Sequence, residues 1–176
     1  MILAFDTATS FGAVAAAGGR HEREARAGDV LLAVHRLVGD PSEIESIVVG
    51  RGPGSFTSIR IGLAVAKSLG STLGVPVRGA STLDAYAEGT PVLDARRGEV
   101  FAPGPTVCRP EELDVAGRTL VGDGAIRYRE VFERGGATIP PDDDPVHVPD
   151  AALLVARAAD DVEPLYVRDP DAKARA

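Results

Sequence analysis

Gly50-Arg51-Gly52-Pro53-Gly54-Ser55 opens directly into a long apolar stretch, and this junction constrains the fold more than any other part of the chain. Glycines at 50, 52 and 54 reach backbone angles closed to other residues, and Pro53 stiffens the bend. Ser55 or Thr57 is placed to cap the first N–H groups of a helix. Ser46-Ile47-Val48-Val49 just before it reads as a strand, so the unit is strand, tight turn, helix. From Ser55 to Leu69 the long polar side chains are Arg60 and Lys67. A helix on one sheet face needs one apolar stripe; one that is apolar all round predicts a second covered face and a partner to cover it.

A helix N-terminus behind glycines also attracts anions. The spacing argues against the two best-known versions. A Walker loop places Lys-Ser/Thr directly after its second glycine, whereas Lys67 lies deep in the helix. A dinucleotide fingerprint runs G-x-G-x-x-G, and here the run is G-x-G-x-G with Pro53 inside it. Gly50, Gly52, Pro53, Gly54 and Ser55 therefore read as a rigid structural turn.

The rest of the chain repeats the alternation. Strands are expected at Ile2 to Asp6, Phe11 to Ala17, Arg20 to Ala27, Val75 to Gly79, Pro91 to Asp94, Glu99 to Phe101 and Arg118 to Val121. Helices are expected from Asp29 to Val38, Ser81 to Glu88, Ala125 to Arg134 and Ala151 to Ala159. Arg96-Arg97-Gly98 is a tight turn, and Pro103, Pro105 and Pro110 read as a loop rather than a hairpin. The order gives an α/β protein of two lobes, residues 1–90 and 91–176.

Chemistry is sparse. A net charge of −7 opposes autonomous nucleic-acid binding. Many of the late acidic residues, Asp142, Asp143, Asp144, Asp150, Asp160, Asp161 and Glu163, read as a solvated acidic stretch. One cysteine, Cys108, excludes an internal disulfide, and His21, His35 and His147 are not paired at helical spacing for a metal. No G-x-S-x-G elbow is present. Asp6 and Thr7, at the end of the first strand, are weak cofactor-site candidates: Asp6 orients a metal-bound phosphate or, more simply, accepts hydrogen bonds from its own turn. Asp94-Ala95-Arg96-Arg97 holds an anion or locks a hairpin. With no membrane-length apolar run and no leader, the expected location is cytoplasmic.

Four ordered blocks carry a family resemblance. They are Ile2-Leu3-Ala4-Phe5-Asp6-Thr7-Ala8, Gly50 to Thr57 with Arg60-Ile61-Gly62, Leu93 to Phe101, and Glu163-Pro164-Leu165-Tyr166-Val167-Arg168. Together they resemble the bacterial TsaB (YeaZ) proteins. The resemblance implies an actin-like ASKHA (ribonuclease H-like) fold, here with a second lobe shortened after Phe101. It implies a non-catalytic subunit of the machine that forms N6-threonylcarbamoyladenosine in tRNA, pairing with the catalytic subunit TsaD and acting with the ATPase TsaE. It also implies a homodimer when the chain is alone, tRNA contact only through the complex, and ATP or ADP only through partner subunits. The alternative is an ASKHA-type phosphotransferase or peptidase acting by itself. Family members pair through their first two helices, which assigns the interface here to Val30, Leu31, Val34, His35, Ser58, Ile59, Gly62, Leu63 and Ala66. In that set Ser58, Gly62 and Ala66 form a row of small side chains expected to admit a partner helix.

Overall fold

A computed structural model of the chain describes residues 1–168. The last residues of the expected second lobe, 169–176, lie outside them. β1 (Ile2–Asp6), β2 (Ala13–Ala17) and β3 (Arg20–Glu24) form an antiparallel meander. The chain then runs through α1 (Val30–Leu37), β4 (Ser46–Gly50), α2 (Phe56–Leu73) and β5 (Val77–Ala80). β4 pairs parallel to β1, and β5 parallel to β4, giving one five-stranded sheet in the order β3-β2-β1-β4-β5.

Side chains alternate across this sheet, as the strand period requires. Leu3, Phe5, Ala15, Ile47 and Val49 form one core with Val30, Ala33, Val34 and Leu37 of α1 and Ile59, Leu63 and Ala66 of α2. Ala4, Val14, Ala16, Val48 and Ala80 face the other way. That second face is covered by Ala151 and Leu154, from a 3₁₀ segment at Ala151–Arg157. Ala159 then pairs with Gly79 at the sheet edge. Residues 151–159 therefore belong with the first sheet, although they follow the second lobe in sequence. The helix expected over Ala151–Ala159 is instead this 3₁₀ segment, which ends at Arg157.

The second lobe contains β6 (Thr90–Pro91), β7 (Leu93–Arg96), β8 (Glu99–Ala102), β9 (Thr106–Cys108), β10 (Leu120–Val121), α3 (Asp123–Arg127) and α4 (Arg129–Arg134). β7, β8 and β9 form an antiparallel sheet, and β6 pairs with β10. The prolines after β8 do make a hairpin, contrary to the sequence reading. Pro103, Gly104 and Pro105 occupy the turn itself, and Thr106 resumes pairing opposite Ala102. The single helix expected over 125–134 is two short ones, broken at Tyr128 (φ −111°, ψ 25°). Phe132, fully buried among Val92, Val100, Leu120 and Ala125, anchors this lobe's core.

Candidate functional site

The glycine loop is fixed from every side. Arg51 N–H donates to Ala80 O (2.9 Å), Gly52 N–H to Thr82 Oγ1 (3.2 Å) and Ser55 N–H to Ala8 O (2.8 Å). A Cβ at Gly54 would stand 2.4 Å from Ala8 O, so only glycine lets the loop lie against the β1–β2 turn. Leu165 N–H donates to Arg51 O (2.7 Å), and the Arg51 side chain pairs with Asp161 (2.7 Å). Ser55 accepts from Ser58 N–H and caps α2. The amides that a phosphate cradle would offer at 51, 52 and 55 are thus spent on the protein itself.

Asp6 and Thr7 have the same character. Asp6, 1% exposed, accepts from Ala8 N–H (2.7 Å) and from the Thr82 hydroxyl (2.6 Å). Burial pushes its carboxyl above the usual carboxylate range, against the lowering effect of those two bonds and with a smaller push from Asp123. Thr7 is fully buried and donates to Ser58 O (2.7 Å), pinning the first turn of α2 to the end of β1.

Between the lobes lies a cleft of about 750 Å³. Its walls are the β1–β2 turn, the first turn of α2, the β7–β8 hairpin and the segment around Tyr166. Asp123, which the sequence reading did not single out, ties the walls together. One carboxylate oxygen accepts from Ser10 N–H (2.9 Å) in the first lobe and the other from Asp94 N–H (3.0 Å) in the second. A signal was present in Gly122-Asp123-Gly124 directly after β10, where Gly124 admits the Leu93 backbone (a Cβ there would stand 2.6 Å away). Asp94 locks its hairpin by accepting from Arg96 N–H (2.9 Å), and its carboxylate pairs with Arg96 and Arg127. Tyr166 stacks on Phe56 with ring centroids 4.8 Å apart, and Arg60 lies over the Phe56 ring. Arg168 pairs with Glu99 and donates to Ala95 O, so residues 161–168 run from the glycine loop to the second lobe.

The three histidines are apart. His21 pairs with Asp150 (3.2 Å), His35 is exposed on α1, and buried His147 lies between Gly122 N–H and Pro140 O. Among the described residues, no group of three or more His, Cys, Asp or Glu side chains is placed to hold a metal. Burial, with the charge of Glu112, pushes the Cys108 thiol up, away from the reactive thiolate. The late acidic residues are mostly exposed, as expected, and several also have a local role. Asp144 and Asp150 cap 3₁₀ turns, while Asp142, Asp160 and Asp161 pair with Arg129, Arg78 and Arg51.

The helices correct most of the expected interface. Val30, Val34, Ile59, Leu63 and Ala66 are buried in the chain's own core, at helical spacing toward the sheet. Gly62 and Ala66 of the small-residue row face inward, and a Cβ on Gly62 would stand 2.5 Å from Thr7 Oγ1, whereas the half-buried Ser58 side chain donates to Ser55 Oγ and lines the cleft. The two inward residues admit β1 and its turn, not another helix. The outer side of α2 carries Arg60, Ala64, Lys67, Ser68 and Ser71, so that helix is not apolar all round. Of the expected residues, Leu31 and His35 point outward on α1. Leu31 (50% exposed) and its neighbour Leu32 (51%) are among the few large apolar side chains in contact with solvent.

A protein-family model described as TsaD, tRNA N6-adenosine threonylcarbamoyltransferase, matches residues 29–132. An uncharacterized protein of Mycobacterium tuberculosis is 34% identical over 163 residues, covering 82% of this chain and 74% of that one. The tRNA threonylcarbamoyladenosine biosynthesis protein TsaB of Bacillus subtilis is 40% identical over 81 residues, 39% of this chain and 35% of that protein. YeaZ from Pseudomonas aeruginosa superposes with a TM-score of 0.71 at 25% identity, over 94% of this chain and 98% of that one. The chain belongs to the TsaB/YeaZ family. The five-stranded sheet with its second lobe is the actin-like ASKHA fold of these TsaB/YeaZ proteins. A second Pseudomonas aeruginosa structure, with a TM-score of 0.73 at 25% identity, is described as having similarity to peptidase YEAZ. Coverage of the relatives differs: the match spans 40% of an uncharacterized Mycobacterium leprae protein and 35% of the Bacillus TsaB. The TsaB relatives place the family in tRNA threonylcarbamoyladenosine biosynthesis. No helix among the described residues is long and apolar enough to cross a membrane.

Proposed function

We propose that this chain is a non-catalytic subunit of the tRNA N6-threonylcarbamoyladenosine-forming machinery, and that it binds the catalytic subunit TsaD through the outer face of α1. The observation that carries the reading is the side-by-side exposure of Leu31 and Leu32 on a helix whose other apolar side chains are buried at home. Two leucines half in water form an anchor that a partner helix covers, with exposed His35 one turn along α1 from Leu31. When TsaD is absent, a second copy of the chain takes its place, giving a homodimer.

The chain works as a scaffold and binds no nucleotide of its own. In support, the loop amides are spent within the protein, and Asp6 and Thr7 are sealed under Thr82 and Ser58. ATP chemistry then belongs to TsaE and the other partner subunits. The test is co-expression with TsaD of the same organism, followed by size-exclusion chromatography. One peak containing both chains supports the reading, and separate elution of two folded proteins overturns it.

A further inference from the structure

The start of α2 leaves two backbone donors free. Ser55 Oγ accepts from Ser58 N–H (3.4 Å) and Ser55 O from Ile59 N–H (2.9 Å), while Phe56 N–H and Thr57 N–H have no partner among the described residues. Both residues line the interlobe cleft. Water ordinarily meets such amides, so a helix start on its own selects no ligand.

Thr9 supplies what the helix start lacks. It follows Ala8, whose carbonyl accepts from Ser55 N–H (2.8 Å), and this places Thr9 beside the first turn of α2. Thr9 lines the same cleft and is only 7% exposed, yet its hydroxyl has no protein partner. A buried hydroxyl without a partner is uncommon in a native fold, and an acceptor oxygen seated at the helix start would provide one.

Arg60 adds charge to this corner. Its guanidinium lies 5.4 Å from the centre of the Phe56 ring, back toward the free amides, and it has no ion pair among the described residues. Of the other charges in the cleft, Arg96 pairs with Asp94, Arg168 pairs with Glu99, and Asp123 accepts from Ser10 and Asp94 N–H. A helix start carries about half a positive charge, so together with Arg60 it offsets one negative charge and not two. Phe56 and Tyr166, 40% and 38% exposed and stacked on each other, offer an apolar surface beside it.

We propose that the start of α2 binds a small monocarboxylate. Its oxygens accept from Phe56 N–H, Thr57 N–H, the Thr9 hydroxyl and the Arg60 guanidinium, and the rest of the molecule rests against the Phe56–Tyr166 stack. A phosphate monoester, close to doubly charged at neutral pH, is only partly compensated there, and a triphosphate less so. The site is separate from the outer face of α1 and does not depend on pairing with TsaD.

The test is a nitrogen–proton NMR titration of the full chain with benzoate, with benzamide and inorganic phosphate as comparisons. Benzoate should shift the Phe56 and Thr57 amides saturably, with a Kd of about 1 mM. Arg60→Gln changes an exposed residue, so it should melt like the natural chain and bind benzoate about tenfold more weakly. Thr9→Val keeps the side-chain shape and removes a hydroxyl without a partner, so it should melt no lower and bind about fivefold more weakly. Unchanged benzoate binding by either variant overturns the proposal, as do saturable shifts confined to other amides. Equal binding of benzamide removes the carboxylate from the account, and tighter binding of inorganic phosphate overturns the choice of a single charge. A Thr9→Val chain that melts lower shows that the hydroxyl serves the fold and overturns its assignment to a ligand.

Discussion

Replacing Gly62 with alanine tests which way the small-residue row faces. The added Cβ would stand 2.5 Å from Thr7 Oγ1 and 3.6 Å from the Thr7 Cβ and methyl. Thr7 cannot swing away cheaply, because it is fully buried and its hydroxyl donates to Ser58 O at 2.7 Å. Overpacking of this kind costs about 1–3 kcal/mol. Loss of the Thr7–Ser58 bond adds about 1 kcal/mol. Against this, alanine in a helix interior gains about 1 kcal/mol over glycine. The expected net effect is a destabilisation of about 1–3 kcal/mol, read from urea denaturation at unchanged m. Thr7→Ala removes the obstructing atoms, so the T7A/G62A double variant should be less destabilised than the two single changes sum to. A coupling of about 1 kcal/mol or more is the signature of direct contact. If Gly62→Ala instead stabilises the chain and weakens pairing with a partner, the row faces outward and the reasoning fails.

Three further outcomes follow from the geometry. Burial raises the Asp6 carboxyl in the folded state, so the stability linked to it is fully present below its ordinary value of 3.8 and is lost as pH rises through the raised value. Thermal melts of Asp6→Asn and the natural chain should therefore diverge in the variant's favour from acid to neutral pH, and parallel curves would contradict this. Asp123→Ala should unlatch the lobes at a cost of about 1–3 kcal/mol, with faster hydrogen exchange at the Ser10 and Asp94 amides; unchanged protection would show that Asp123 does not hold them. Leu154→Ala should cost about 2–5 kcal/mol, because Leu154 seals the second face of the first sheet, and a loss under 1 kcal/mol would show that the 151–157 segment is only loosely docked.

Local chemistry made much of this fold legible. The buried strand Ile2–Asp6, the Ser55 cap and the Arg96-Arg97-Gly98 turn are decided within a few residues, and the structure has each of them. The glycine loop was readable as a turn, but its clamps come from Ala8, Thr82, Asp161 and Leu165, which are distant in sequence. The facing of α2 was misread for a related reason. Gly62 and Ala66 are small because Thr7 and the sheet press against them, and the same pattern serves a partner helix equally well. On α1, Val30, Val34 and Leu37 fall on one stripe, so the outward position of Leu31 and Leu32 was available from the helical period. The bridge made by Asp123 spans 113 residues to Ser10, a pairing that no local pattern encodes.

The central claim is that the outer face of α1 is where this chain meets TsaD. Leu31→Glu/Leu32→Glu puts two charges at positions that are already half in water, so the variant should melt within about 0.5 kcal/mol of the natural chain. Co-expressed with TsaD of the same organism and run on size exclusion with light scattering, the natural chain should elute as a complex containing both proteins. The double variant should elute as a folded monomer apart from TsaD. A variant that still co-elutes with TsaD would contradict the claim.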